Sequence, residues 1–387
     1  VTRTLDALVA RARRAGERAL ELRELERRDE SAAAHAALAI VRDAELTAWT
    51  VPKRFGGADA GDLAARGDVS VRAVCAIRAE LARHSGLLDV MFVMQGLGSY
   101  PLALGGKSKL RASLLPEVAR GARIAAFALT EPGAGSSLAD IATTARKTKR
   151  GWKLDGHKTF ISNAGIAGFY TVLARTSGTP GSDAESSLSM FCVPASSRGL
   201  EIARFEVTAP HPIGDLRFHD VDVPKENLIG KPGGGLAIAL ATLGRFRASV
   251  AAAANGFARR ALEESAAHLA TRKQFGKPLA SFQSLRFDVA EMDTRLRAAE
   301  LLVGEAAEAV DAGRDATKEV ARAKLFATEN ASWICDRAIQ HLGGLGVKRG
   351  STVERLWREA RALRIYEGTS EIQKIVLAKA LLDDAAR

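Results

Sequence analysis

The chain has 387 residues, 47% of them hydrophobic, enough for a large buried core and two or three domains. Its net charge of +11 raises nucleic-acid binding, but the arginines mix with glutamates along helical stretches such as Glu17 to Glu30, and no basic block interleaves with aromatics. Cys75, Cys192 and Cys335 fit neither a disulfide framework nor a CxxC metal site, and the histidines show no close pairing, so the reading is a reducing cytoplasm and no structural metal.

At the N-terminus, Leu5, Leu8, Val9 and Ala12 recur at helical spacing, as do apolar positions between Ala36 and Ala48. Arg11, Arg13, Arg14 and Arg18 are interleaved with Asp6, Glu17, Glu21, Glu24 and Glu26, and transit peptides are poor in acids; residues 1 to 50 are read as part of the mature fold. Val51-Pro52 and Gly56-Gly57 break the pattern. It resumes from Val71 to Leu87, through Leu102 and over Lys109 to Val118, and Gly121 closes this part. No apolar run approaches the ~20 residues of a membrane span.

From Arg123 the period changes to two. Ala125–Leu129, Ala142–Lys149, Trp152–Asp155, Phe169–Arg175, Leu188–Val193, Leu200–Val207 and Leu216–Val221 read as strands. Turn signals separate them at Arg150-Gly151, Asp155-Gly156, Gly178 to Gly181 and Ser197 to Gly199. Lys231-Pro232 and glycines 233 to 235 lead into long amphipathic runs at Leu236–Ala270, Phe282–Val310, Thr317–Leu342 and Ser370–Leu382, which suggest a bundle. The expected order is an N-terminal α-helical domain (1–123), a central β-barrel or sandwich domain (124–231) and a C-terminal four-helix bundle (232–387), an α+β multidomain chain. Gly106-Lys107-Ser108 is no phosphate loop, because the first glycine of that motif falls on Pro101. Gly343-Gly344-Leu345-Gly346 is no dinucleotide fingerprint, because it follows a helical run rather than a strand.

Two segments carry chemistry. Arg364 to Gln373 sets Glu367 against Leu363, Ile365 and Tyr366, with Gly368, Thr369 and Ser370 directly behind it. Desolvation there is expected to raise the glutamate above its model-peptide pKa of ~4.3, the tuning a general base needs. The same pattern also suits a helix entry with Thr369 or Ser370 as N-cap. Phe127 to Ser137 is an apolar strand running into a loop of glycines and hydroxyls, able to offer N–H groups to an anion or a flavin edge.

Together with Gln340-His341-Leu342-Gly343-Gly344-Leu345-Gly346-Val347 and Arg272-Lys273-Gln274-Phe275-Gly276-Lys277-Pro278-Leu279, these segments resemble the acyl-CoA dehydrogenase family over nearly the whole chain. The resemblance implies an FAD enzyme that converts an acyl-CoA thioester to the trans-2-enoyl-CoA. Glu367 matches the α-proton base, its N–H a donor to the thioester oxygen, and hydride passes from the β-carbon to flavin N5. Electrons then go to an electron-transfer flavoprotein. Some members carry the base on the first helix of the last domain; that position here is Phe246, which cannot act as one.

For FAD, the resemblance implies Phe127, Leu129 and Thr130 at the flavin ring, Gly135 and Ser136 near the pyrophosphate, and Phe160, Ile161 and Ser162 over the ring's other face. Thr369 and Glu371 match further FAD contacts. Arg272, Gln274, Phe275, Gln283, Gln340, Gly343 and Gly344 match segments that reach a neighbouring subunit's FAD, implying a homotetramer, a dimer of dimers. Ser136, Arg247 and Gly368 match substrate-side positions, Arg247 near the CoA moiety. Ser137, Gly244 and Gly350 depart from the family pattern, Phe160 stands where many relatives have Trp, and Val93 and Gln95 are candidates for the pocket floor with Gly244 to Phe246. The rival readings are an oxygen-using oxidase or flavin monooxygenase of the same fold, and a non-catalytic acyl-CoA-binding homologue. No metal, nucleic acid or membrane span is expected.

Overall fold

In the computed structural model, which describes residues 2–64, 67–181 and 183–385, the first third of the chain is helical. It comprises α1 (Thr2–Glu17), α2 (Leu25–Arg28), α3 (Glu30–Asp43), α4 (Val71–His84), α5 (Gly86–Gly105) and α6 (Ser108–Ala119). Asp29 caps α3, its carboxylate accepting from the Ala32 N–H at 2.9 Å, which satisfies one of the donors a helix start leaves open. Short 3-10 turns fill the expected break, where Gly56 takes φ +89°. The Gly106-Lys107-Ser108 decoy is only the joint between α5 and α6.

Contrary to the expectation of no apolar run of that length, α5 and the long helix α8 (Gly235–Thr271) have the length and hydropathy of a spanning helix. In α5, 94% of the apolar window is buried in the protein, so its character serves the core; in α8 the share is 50%.

The middle of the chain forms one eight-stranded mixed sheet: β1 (Ala125–Ala128), β2 (Thr144–Lys147), β3 (Gly151–Ser162), β4 (Phe169–Arg175), β5 (Leu188–Pro194), β6 (Leu200–Arg204), β7 (Ile213–Pro224) and β8 (Leu228–Ile229). A four-residue helix, α7 (Ala184–Ser187), precedes β5. The order is β6-β7-β3-β2-β4-β5-β8, with β1 pairing parallel to β4. Every residue of β4 is buried, Thr171 and Arg175 included, which is why that strand shows no apolar–polar alternation.

The turn expected at Asp155-Gly156 is absent. β3 runs through it as a bulge, with the register slipping between Leu154 and Gly156. Gly156 has φ +148°, and a Cβ there would meet Thr143 at 2.5 Å, so the glycine marks a close backbone approach within a strand.

After α8 come a two-stranded hairpin, β9 (Lys273–Gln274) with β10 (Lys277–Pro278), and then α9 (Gln283–Asp311), α10 (Thr317–Leu342), α11 (Thr352–Leu363) and α12 (Ser370–Ala385). The short α11 was not among the expected helical runs; Ser351 caps it, accepting from the Glu354 N–H.

The contacts divide the chain into two compact units, one of Val1–Glu17, Val71–Asp89 and Arg247–Arg387, the other of Arg18–Ser70 and Val90–Phe246. In the first, α10 packs on α9, α11 and α12, while α4 packs on α1 and α9. Its core is dominated by alanines (Ala254, Ala299, Ala323, Ala327, Ala331) with Phe257, Leu296, Ile334 and Leu356, a small-residue packing that brings helices close. The second unit holds the sheet and the helices α2, α3 and α6.

Candidate active site

In the sheet-bearing unit, β1 runs into the loop from Leu129 to Ser137. Glu131 and Ala134 exchange backbone hydrogen bonds of 2.9 and 3.1 Å, closing a tight turn around Pro132-Gly133. The Glu131 side chain turns inward and accepts from the N–H groups of Ala142 (2.7 Å) and Thr143 (3.0 Å) and from Lys158 Nζ (2.7 Å). Lys158 also donates to the Leu129 carbonyl at 2.8 Å. Burial pushes Lys158 down to about 8, against the pull of Glu131. Burial alone would raise Glu131, but Lys158 and the N–H donors outweigh it and hold the carboxyl below its usual range. With its inner side locked, the loop's outer side is open. Gly135 and Ser136 are exposed, and a Cβ on Gly133 or Gly135 would meet nothing within 4 Å.

The Thr159 N–H bonds the Thr130 carbonyl at 2.9 Å, tying β3 to this loop. Immediately beyond, β3 slips register again between Lys158 and Ile161. A bulge re-aims side chains, and here it turns Phe160 outward with φ +55° and 60% exposure, its ring edge-on to Phe205 at 5.2 Å. Ile161, expected at the flavin ring, is instead 1% exposed and belongs to the core. Strand alternation explains the correction: with Phe160 out, its neighbour points in. Ser162 Oγ lies 2.7 Å from His211 Nε2, and burial pushes that imidazole down to about 4, leaving it neutral. Phe127 and Thr130 are half-buried and Leu129 is 9% exposed. Gln95, a candidate for the pocket floor, has its amide engaged by the Arg123 carbonyl and the Ala125 N–H, where it fixes the start of β1. Phe246 is fully buried, edge-on to Tyr100 at 5.7 Å.

In the helical unit, Glu367 and Gly368 take φ +54° and +93° in succession. Arg247 Nε donates to the Glu367 carbonyl at 3.0 Å. Lys324 Nζ (2.7 Å) and Gln373 Nε2 (3.0 Å) both donate to the Gly368 carbonyl. Thr369 Oγ1 accepts from the Ile372 N–H at 3.3 Å, so the capping reading of this segment holds alongside the other. Ser370 Oγ (2.5 Å) and Arg364 Nε (2.9 Å) converge on Glu329 Oε1. The turn is over-determined.

Glu367 Oε2 is buried without a hydrogen-bond partner. Burial raises the carboxyl above its usual range, while Arg78, Arg247 and Lys324 pull it partly back. The direction agrees with the sequence expectation, but the surroundings do not. Of the expected apolar wall only Leu363 is buried; Ile365 is 55% exposed and Tyr366 half-buried. The carboxylate faces charged groups, among them Arg78, whose guanidinium binds Asp89 through two 2.7 Å bonds and Ser249 Oγ at 2.9 Å. Arg247, expected beside CoA, holds the Glu367 carbonyl.

The other expected residues of this unit lie on its surface. Arg272, Gln274, Gln283, Gln340, Gly343, Gly344 and Glu371 are exposed, and Thr369 and Gly368 half-buried. Phe275 (φ +51°) and Gly276 (φ +78°) form the two-residue tip of the β9–β10 hairpin, the turn type that fits strand twist, and present the Phe275 ring at 89% exposure. His341 anchors the Gln340–Gly344 segment, with Nδ1 2.5 Å from Ser265 Oγ and Nε2 3.1 Å from Asp288. Phe160, Phe275 and Glu367 make up half of the six non-glycine residues with positive φ among the described residues; such strain clusters at functional sites.

Sequence reasoning gave no role to Lys158, Lys324, Arg78 or Asp89. A signal existed for two of them. Lys324 interrupts the apolar stripe of Val320, Ala323, Ala327 and Ala331, and Arg78 that of Val71, Val74, Cys75 and Ala82.

A desolvated carboxylate on a rigid left-handed turn is the equipment of an enzyme that removes a weakly acidic proton. Comparison with known proteins narrows that class. The acyl-CoA dehydrogenase N-terminal, middle and C-terminal domain families match residues 2–122, 126–221 and 233–382 in turn. The chain is 33% identical to a cyclohexane-1-carbonyl-CoA dehydrogenase of Geobacter metallireducens over 90% of both chains. It is 37% identical to a caffeyl-CoA reductase–Etf complex subunit of Acetobacterium woodii over 86% of both. An acyl-CoA dehydrogenase of Bacillus anthracis, complexed with FAD, superposes with a TM-score of 0.89 at 27% identity, covering 100% of this chain and 69% of that one. The chain belongs to the acyl-CoA dehydrogenase family of oxidoreductases.

Proposed function

We propose that the protein binds FAD and interconverts an acyl-CoA thioester and its trans-2-enoyl-CoA, with Glu367 as the base at the α-carbon. The observation that carries this is the Glu367 carboxylate, whose buried Oε2 has no hydrogen-bond partner and whose proton affinity is raised by burial. A base so placed takes an α-proton at Oε2 and returns it in the reverse direction. The Glu367 N–H is the donor to the thioester oxygen, and an oxyanion donor of this kind is often worth ~3 kcal/mol. The rigid turn keeps base and donor in one register.

Residues suited to FAD are present. Phe160 is an outward aromatic, and the glycines at 133, 135, 343 and 344 leave open the space a Cβ would fill. When bound, the flavin supplies the hydride exchange at the β-carbon. Phe127, Leu129 and Thr130 border its ring, Gly135 and Ser136 its pyrophosphate, and Ser162, bonded to neutral His211, offers a hydroxyl nearby. Arg272, Gln274, Phe275, Gln283, Gln340, Gly343 and Gly344 serve a neighbouring subunit's FAD in a homotetramer. In support of assembly, the same helical unit exposes Phe287, Leu345, Val347, Ile375 and Leu382. An electron-transfer flavoprotein is the electron partner, in keeping with the Etf complex of the Acetobacterium relative.

That relative's name also supports a second reading, in which the physiological direction is reduction of the enoyl-CoA. An anaerobic panel of saturated and 2-enoyl thioesters tests both. Saturated substrates are expected to bleach the flavin, and enoyl substrates to reoxidise flavin reduced beforehand. If no thioester changes the flavin spectrum in either direction, the proposal fails. Reoxidation in air at the rate of steady-state turnover, with hydrogen peroxide released, would make the enzyme an oxidase.

A further inference from the structure

The reading of Glu367 as the base leaves Lys324 unexplained. Its side chain is 0% exposed, in the middle of α10 and among alanines. Burying an ammonium is costly unless it is paired and hydrogen-bonded. The hydrogen bond of Lys324 goes to the catalytic turn: its Nζ donates to the Gly368 carbonyl at 2.7 Å, one residue beyond the base, and Glu367 is the charge that most favours its ammonium form.

The charges around the pair can be enumerated. Glu367 is faced by Arg78 of α4, Asp89 of α5, Arg247 of α8, Lys324 of α10 and the phenol of Tyr366. Lys324 is faced by Glu367, Arg247, Glu329 and Glu371. Two of these carboxylates are already spoken for or remote from burial, since Glu329 binds Arg364 and Ser370, and Glu371 is exposed. Arg78 also holds Asp89 in a bidentate contact. Arg78, Arg247 and Lys324 are the cations that favour the charged form of Glu367, and of the three only the lysine can discharge in the working range.

We propose that Lys324 is a positioning residue for the base, its Nζ fixing the left-handed turn through the Gly368 carbonyl and its charge setting the proton affinity of Glu367. The inference rests on the assignment of Glu367 as base. It makes the turn sensitive to pH in a second way. Burial pushes Lys324 down to about 8, with Glu367 opposing. Above that pH the amine still donates to Gly368, but Glu367 has lost a counter-charge.

The test is the pH profile of flavin reduction by excess acyl-CoA thioester, measured anaerobically in FAD-loaded wild type, Lys324→Met and Lys324→Gln. Gln373 Nε2 still satisfies the Gly368 carbonyl in both variants, so FAD content and thermal midpoint are expected to stay close to wild type. Wild type is expected to show two ionisations, the upper one near pH 8. Both variants should lose the upper step, raise the apparent pKa of the base, as loss of a neighbouring cation does, and reduce flavin about 10-fold more slowly at neutral pH, a barrier change of about 1.4 kcal/mol. A variant profile superimposable on wild type overturns the proposal. Should neither variant fold with FAD, Lys324→Arg, which keeps a charge that does not discharge, decides: loss of the step near pH 8 supports the proposal, and a step retained there, as Lys158 alone would give, overturns it. Glu367→Gln separates the two readings. If that variant still reduces flavin, the base assignment itself falls; if it is inert while Lys324→Met keeps the wild-type profile, only the role of Lys324 falls.

Discussion

Lys158 Nζ lies 2.7 Å from Glu131 Oε1, and both side chains are sealed from solvent, at 0% and 5% exposure. Each partner also holds backbone, Lys158 the Leu129 carbonyl and Glu131 the N–H groups of Ala142 and Thr143. Breaking one side of such a buried pair costs about 3–5 kcal/mol, because the other charge is left uncompensated. Glu131→Gln is therefore expected to lower the thermal midpoint sharply and to release FAD. The double variant Glu131→Gln with Lys158→Met should recover part of that loss, which a double-mutant cycle by thermal unfolding would read. The folded pKa of Glu131 lies below its unfolded value of ~4.3, so its contribution is present above that pH and is lost as pH falls through the folded value. Acid should accordingly shrink the difference between wild type and Glu131→Gln.

Glu367→Gln keeps size and shape but cannot accept a proton. Turnover should fall by about 10²–10⁴, the usual contribution of a general base, with FAD and acyl-CoA binding retained by absorbance and titration. Stability should move the other way. The folded pKa of Glu367 is raised, so its contribution is full below the unfolded pKa and is lost as pH rises through the folded one. The neutral glutamine escapes that loss. At neutral pH the variant is expected to melt no lower than wild type, and calorimetry across pH checks the sign.

Gly368→Ala tests the turn itself. Gly368 has φ +93°, and a Cβ would meet Gln373 Nε2 at 2.6 Å. A left-handed alanine costs about 1–2 kcal/mol in backbone strain alone. The expected result is a fall in both the thermal midpoint and kcat. Unchanged kcat would show that the turn does not need its observed shape.

Phe275→Ala separates fold from assembly. The ring is 89% exposed, so its removal should leave the secondary structure of the isolated chain intact. If the hairpin completes a neighbour's cofactor site, the variant should lose FAD more readily and shift toward smaller oligomers in light scattering. Full FAD retention in an unchanged oligomer would remove the hairpin from the site.

Periodicity made most elements legible. The strands β1, β4 and β5 and the helices α8, α9, α10 and α12 stand close to where apolar spacing put them. Signals without a tertiary partner misled: Asp155-Gly156 is a turn dipeptide, yet pairing with β7 on both sides carries β3 straight through it. The chemistry-bearing segments were equally legible, because glycines, hydroxyls and a glutamate in fixed order are local features. By itself the sequence marked most of the helices and strands, singled out Glu367 as the carboxylate to watch, and gave the direction of its shift from an apolar wall that the fold does not build. Only the tertiary structure decided what surrounds that carboxylate. Ile365 and Tyr366 adjoin it in sequence, but Arg78, Arg247 and Lys324 reach it from three separate helices. Spacing along a chain reports which face of its own helix a residue occupies, and the charges that set a pKa arrive through space from elsewhere.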